Sequence, residues 1–194
     1  MQPTKLFQAI RLWTVAEYHK MAEVGILQPD EPVELIAGQI IRKMSPQNSP
    51  HAAAITRSDR VLRNLLPQNI TIRIQLPLQL NNYSEPEPDL AVVKRDFLDY
   101  DDRHPTAAEV YLIIEIADST LKTDREVKAL SYASSGISDY WILDLNNRQL
   151  RVFRQPREDG YQSEVILTEN NSISPLAFPN LKLTVAEMLR PINR

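Results

Sequence analysis

Residues 70–80, "ITIRIQLPLQL", alternate apolar and polar side chains with hardly a break. That period of two predicts a half-buried strand, interrupted or held at a sheet edge by Pro77. Shorter apolar runs mark further strands at "LAVV" from Leu90, "VYLIIEIA" from Val110, "DYWILDL" from Asp139, "LRVFRQ" from Leu150 and "YQSEVIL" from Tyr161. "VELIAGQIIRKM" holds two apolar-rich runs joined by Ala37-Gly38 and reads as a β-hairpin. Elsewhere the pattern is helical. Thr14 with Glu17 three residues on resembles a capping box, opening a short helix that Gly25 stops. A second helix starts around Ser49 and Pro50, since proline suits the first turn, with Ile55, Leu62 and Leu65 on its buried side. A third runs from about Thr123 to Ser135 and closes at Gly136, and "LTVAEMLRP" predicts a terminal helix.

No repeat, low-complexity tract or long linker interrupts this order, so a single α/β or α+β domain over residues 1–194 is expected. Hydrophobic residues at 43% and charged residues at 24% are ordinary for a soluble globular fold. No apolar run approaches the ~20 residues that span a bilayer. "MQPTKLFQAIRLW" lacks the layout of a secretory signal. The absence of cysteine excludes disulfides, thiolate zinc sites and cysteine nucleophiles. A cytoplasmic location with no membrane partner is the resulting expectation.

The net charge of −3 counts mildly against a protein that grips nucleic acid mainly through phosphates, although a local basic groove is compatible with it. Arg57, Arg60 and Arg63 form a basic stripe on the second helix, either a solvated face or a first place to look for a phosphate contact. Four glycines and no G-x-G-x-x-G or Walker pattern argue against a phosphate-cradling loop. His19, His51 and His104 are too scattered for a zinc cluster.

One residue breaks the apolar logic. Glu115 stands at the centre of "VYLIIEIADST", where an ionised carboxylate must be neutralised, paired or bound to a metal. Asp89 follows Pro88 at the mouth of the "LAVV" strand. Were these strands neighbours, the two acids would converge, and a divalent cation would relieve their repulsion. All-oxygen ligation of that kind suits Mg²⁺ or Mn²⁺. Lys128, on the following helix, would then add a positive charge suited to phosphodiester hydrolysis.

"PDLAVV" followed by "LIIEIADSTLKTDREVKALSYASSGISDYWILDL" resembles the PD-(D/E)XK nuclease superfamily, and in particular its branch described as restriction endonucleases. The resemblance covers nearly the whole chain, from "VELIAGQIIRKMSP" and His51 to "YWILDL". It implies a restriction-endonuclease-like α/β core: a central mixed sheet flanked by helices, with an added N-terminal helix and β-hairpin. By the same resemblance Asp89 and Glu115 ligate the metal, assisted by the backbone carbonyl of Ile116. Glu34 matches a branch-typical glutamate reaching the same site directly or through water. The lysine that the superfamily places two residues after its glutamate is Ala117 here, and Lys128 matches a lysine migrated to the helix. The implied activity is Mg²⁺-dependent endonucleolytic hydrolysis of DNA by metal-activated water, in a homodimer.

Each of these residues also has a plainer reading. Glu115 could form a structural ion pair, Asp89 could bond backbone N–H groups after Pro88, and Glu34 could be solvated. Lys128 follows Asp124 by one helical turn, the spacing of a surface pair. His51 suits a helix cap, and Tyr132 either core or site wall. The rival function is a catalytically inactive nuclease fold serving as a binding or assembly module, since a fold does not guarantee an activity.

Overall fold

The computed structural model describes residues 10–28, 30–43 and 48–192. The start of the N-terminal stretch read for a leader, and the "MSP" that ends the early block, lie outside them. Thr14 accepts from the Glu17 N–H while Glu17 bonds back to Thr14, and this capping box opens α1 (Val15–Glu23). Strands β1 (Val33–Ile36) and β2 (Gln39–Arg42) pair as the expected hairpin. Its turn needs two consecutive left-handed residues, Ala37 at φ 49° and Gly38 at φ 74°. A Cβ on Gly38 would lie 2.6 Å from Leu12 Cβ, so glycine is also required by space.

Asn48 caps α2 (Ser49–Leu65) by accepting the His51 N–H at 3.0 Å, with Pro50 in the first turn. β3 (Ile70–Ile74) is shorter than the alternation suggests. Gln75 adopts φ 51°, which ends the ladder, and Pro77 has no N–H with which to resume it. β4 (Leu90–Lys94) and β5 (Val110–Ala117) follow. A helical segment, α3, then joins Leu121–Thr123, a π-helical turn Asp124–Lys128 and Ala129–Ser134, and Gly136 closes it at φ 83°. β6 (Asp139–Asp144), β7 (Gln149–Arg157) and β8 (Gly160–Thr168) complete the main strands. The short pair β9 (Ser172–Ile173) and β10 (Leu183–Thr184) leads into α4 (Val185–Met188), a single turn where the sequence suggested a longer helix.

One six-stranded mixed sheet runs in the order β3–β4–β5–β6–β7–β8. Only β5 and β6 are parallel, and α3 is the crossover that such a pair requires. Alternation divides the sheet into two faces. Leu112, Ile114 and Ile116 pack with Trp141 against Ala54, Ile55 and Leu62 of α2 and Val185 and Met188 of α4. Ile113 and Ala117 pack with Ala91, Val93 and Ile142 against Ala129 and Tyr132 of α3. Glu115 belongs by parity to this second face, beneath α3. Among the described residues no helix is long and apolar enough to cross a membrane.

Candidate active site

Continuing the β4–β5 register one residue beyond Leu90↔Ile114 sets Asp89 opposite Glu115. The β3–β4 register, continued beyond Ile74↔Leu90, sets Gln75 opposite Asp89. One row across three strands therefore reads Gln75, Asp89, Glu115. The Asp89 N–H donates to Glu115 Oε2 at 3.3 Å, and the Ile116 N–H donates to Asp89 Oδ2 at 2.8 Å. Each acid is thus bound to the other's strand.

α3 brings Lys128 onto this row. Its Nζ lies 3.0 Å from Glu115 Oε1 and 3.3 Å from Glu34 Oε1. Lys128 is only 8% exposed, so these are buried contacts rather than the surface pair that its spacing from Asp124 suggested. The Tyr132 hydroxyl, one turn on, donates to Glu115 Oε1 at 2.8 Å from within the buried core under α3. Glu34 arrives from β1, outside the main sheet, and its Oε2 accepts the Glu87 N–H at 3.0 Å. Glu34, Asp89, Glu115 and Lys128 all line one cleft of about 740 Å³. Ile116, whose carbonyl was the expected contributor, does not line the cleft and touches the site through its N–H bond to Asp89.

Three other residues in the cleft were not in the expected set. His51 Nε2 lies 3.0 Å from Asp89 Oδ1, because the first turn of α2 faces the end of β4. Gln75 Nε2 donates to the same Oδ1 at 3.1 Å. Asp124 is 3% exposed and accepts the Thr120 hydroxyl at 2.6 Å. The π-helical turn beginning at Asp124 carries both it and Lys128 into the cleft. Gln75 sits opposite Asp89 through the Ile74–Leu90 pairing, a register that the sequence does not show. His51 is marked only by its place in the stretch that carries the family resemblance and Asp124 only by residue type, because their approach depends on how α2 and α3 lie across the sheet.

The charges are unbalanced. Glu34, Asp89, Glu115 and Asp124 crowd about one buried ammonium. Burial pushes the Glu115 carboxyl up to about 8 against the pull of Lys128, with Asp124, Asp89 and Glu34 adding to the rise. Burial likewise pushes Asp124 up to about 6, opposed by Lys128 and the Thr120 hydroxyl. Asp89 differs. Burial raises it, but His51, the Ile116 N–H and Lys128 together hold it below the ordinary aspartate value. Desolvation would lower Lys128, yet Glu115, Glu34 and Asp124 keep it above the usual lysine range.

Surplus buried carboxylate with oxygen-only donors suits a hard divalent cation. Among the described residues no three His, Asp or Glu side chains are gathered as a finished metal shell. The hydrogen bonds say which oxygens retain capacity. Asp89 Oδ1 takes Gln75 and His51, and Glu115 Oε1 takes Lys128 and Tyr132. Asp89 Oδ2 and Glu115 Oε2 each carry one N–H donor and keep a second lone pair.

Of the arginine stripe on α2, Arg60 and Arg63 are exposed and Arg57 is half-buried. Arg57 Nε donates to the Met188 carbonyl at 3.2 Å, and Arg63 pairs with Asp59 at 2.8 Å. Tyr140 and Trp141 are fully buried, and Asp144 accepts the Asn147 N–H of the following turn at 3.0 Å.

A family model described as "Putative restriction endonuclease" (Uma2) matches residues 15–186. The chain belongs to the Uma2 family. This membership supports a nuclease role and, with it, a nucleic-acid substrate. Among solved structures, the Uma2 chain is similar to a "putative nuclease belonging to DUF820" from Anabaena variabilis ATCC 29413. The two share 21% identity at a TM-score of 0.67, over 90% of this chain and 96% of that one. At that identity the likeness shows the fold, which is the restriction-endonuclease-like architecture expected from the sequence. No curated protein matches the Uma2 chain.

Proposed function

We propose that this Uma2 family member, a single domain over residues 1–194, is a Mg²⁺- or Mn²⁺-dependent endonuclease that hydrolyses phosphodiester bonds in DNA. The observation that carries the reading is the alignment of Asp89 and Glu115 on one cross-strand row beside the Lys128 ammonium. Asp89 and Glu115 would hold the cation through the oxygens that keep a lone pair, with the Ile116 carbonyl and Glu34 completing its surroundings directly or through water. Bound there, the cation supplies Lewis acidity and lowers the pKa of a water. Lys128, fixed by two carboxylates, offers a positive charge to the phosphate as negative charge develops on it. Glu34 restrains that lysine from a second element, β1.

The reading includes a homodimer, which would let two sites meet two strands. It is supported by Val165 and Ile166, half-exposed on β8, the outermost strand of the sheet.

The test is incubation of plasmid and single-stranded DNA with purified protein and Mg²⁺ or Mn²⁺, beside Glu115→Ala and a chelator control. Cleavage that stops with chelator and with Glu115→Ala supports the nuclease. Cleavage that survives Glu115→Ala points to a contaminant. No cleavage by wild type with either metal overturns the reading in favour of an inactive binding or assembly module.

A further inference from the structure

We propose that His51 and Gln75 are positioning residues that lock the Asp89 carboxylate in the one orientation that leaves Oδ2 free for a cation; the inference rests on the metal-dependent reading of the same cleft. Both act on the same atom. His51 Nε2 and Gln75 Nε2 reach Asp89 Oδ1 at 3.0 and 3.1 Å, and the Ile116 N–H reaches Oδ2 at 2.8 Å. With both lone pairs of Oδ1 engaged, rotation of the carboxylate would break at least two hydrogen bonds.

Each positioning residue is itself held. His51 lies in the first turn of α2, where the Asn48 side chain accepts its N–H at 3.0 Å. Gln75 is also gripped through its backbone N–H, which is shared between the Pro88 carbonyl at 3.1 Å and the Asp89 carbonyl at 3.2 Å. That grip requires φ 51°, a left-handed conformation uncommon for glutamine. Strain of this kind persists where the surroundings over-determine it and clusters at functional sites. The two arms come from separate elements, one from a helix and one from the end of an edge strand. No single segment could therefore orient Asp89 in this way.

The test measures Mn²⁺ binding to the full chain without nucleic acid, together with hydrogen exchange at the Ile116 amide in cation-free protein. His51→Ala and Gln75→Asn are compared with His51→Gln. Asparagine tolerates the left-handed backbone but falls short of Asp89, and glutamine restores an N–H near the position of Nε2. His51→Ala and Gln75→Asn should each weaken Mn²⁺ binding about 10- to 100-fold and speed Ile116 exchange, with His51→Gln returning close to wild type. Folded variants with wild-type affinity and exchange overturn the proposal. Failure of His51→Gln to restore binding overturns it in favour of direct ligation by His51. Should wild type bind no Mn²⁺ while Ile116 exchange still rises in both weakened variants, the positioning role stands and the metal reading fails.

Discussion

Lys128 meets Glu115 at 3.0 Å from the helix above the sheet, not from the strand that carries the glutamate. The strand position two residues on is Ala117, 1% exposed and packed with Ala129 and Tyr132 of α3. A small residue there lets the helix lie close, and closeness lets the helix supply the cation instead. Glu34 completes the arrangement from a hairpin outside the sheet, so the lysine is held from two sides.

Replacing Lys128 with Met should reduce the cleavage rate about 10²- to 10³-fold, the usual loss of one well-placed electrostatic donor. It should also destabilise the fold by ~3–5 kcal/mol in urea unfolding above pH 8, where Glu115 and Glu34 are both ionised and lose their buried counter-charge. Adding Glu115→Gln should recover much of the stability and none of the activity. A Lys128→Met protein of unchanged stability would contradict the buried pairing.

Cation-free protein should lose stability as pH rises from about 4 to about 8. In the folded chain Glu115 stays protonated up to about 8 and Asp124 up to about 6, whereas their ordinary values are 4.5 and 3.8. The folded state binds more protons between those limits, so this contribution is fully present below about pH 4 and falls as pH climbs. His51, raised by its bond to Asp89, adds to the same trend. Melting temperatures in chelator should decline across this window and decline less for Glu115→Gln. A flat wild-type profile would count against the buried, protonated glutamate.

Mg²⁺ and protons should compete for these carboxyls. Apparent Mg²⁺ affinity, read from the shift in melting temperature, should increase from pH 6 to pH 8 as Asp124 and Glu115 deprotonate. An affinity independent of pH would place the ion elsewhere.

Asp139 provides a structural contrast. It is fully buried and receives Trp141 Nε1 at 2.8 Å, Arg154 Nε at 2.8 Å and the Leu176 N–H at 2.8 Å. Asp139→Ala should cost about 3–5 kcal/mol by leaving a cation and two donors unmatched, with Mn²⁺ affinity of the folded fraction unchanged. Equilibrium unfolding and a metal titration on one sample would separate the two effects.

Gly38→Ala should loosen the hairpin that carries Glu34. The added methyl meets Leu12 and keeps a left-handed backbone, together worth about 1–3 kcal/mol. Activity should fall with the stability loss, measured as rate against urea concentration.

Local signals made much of this legible. The Thr14–Glu17 box, the Ala37-Gly38 turn and the apolar strands from 90 onward depend on neighbours in the chain, and they stand as expected. The polar alternation through residue 80 misled because a single backbone angle at Gln75 ends the strand without altering the pattern of side chains. Glu115 announced itself as a carboxylate in an apolar run. Lys128 needed the family resemblance, and Asp124 and His51 needed the packing of helices on the sheet, a relation of distant segments that no periodicity encodes.

The wide turn Asp124–Lys128 makes the placement of Lys128 sensitive to how the chain winds as well as to chemistry. Winding the same residues at the ordinary helical pitch of about 100° apiece would swing the ammonium roughly a quarter-turn around the axis, away from the carboxylates it meets. A substitution that leaves every charged group in place would therefore part Lys128 from Glu115 by altering the winding alone.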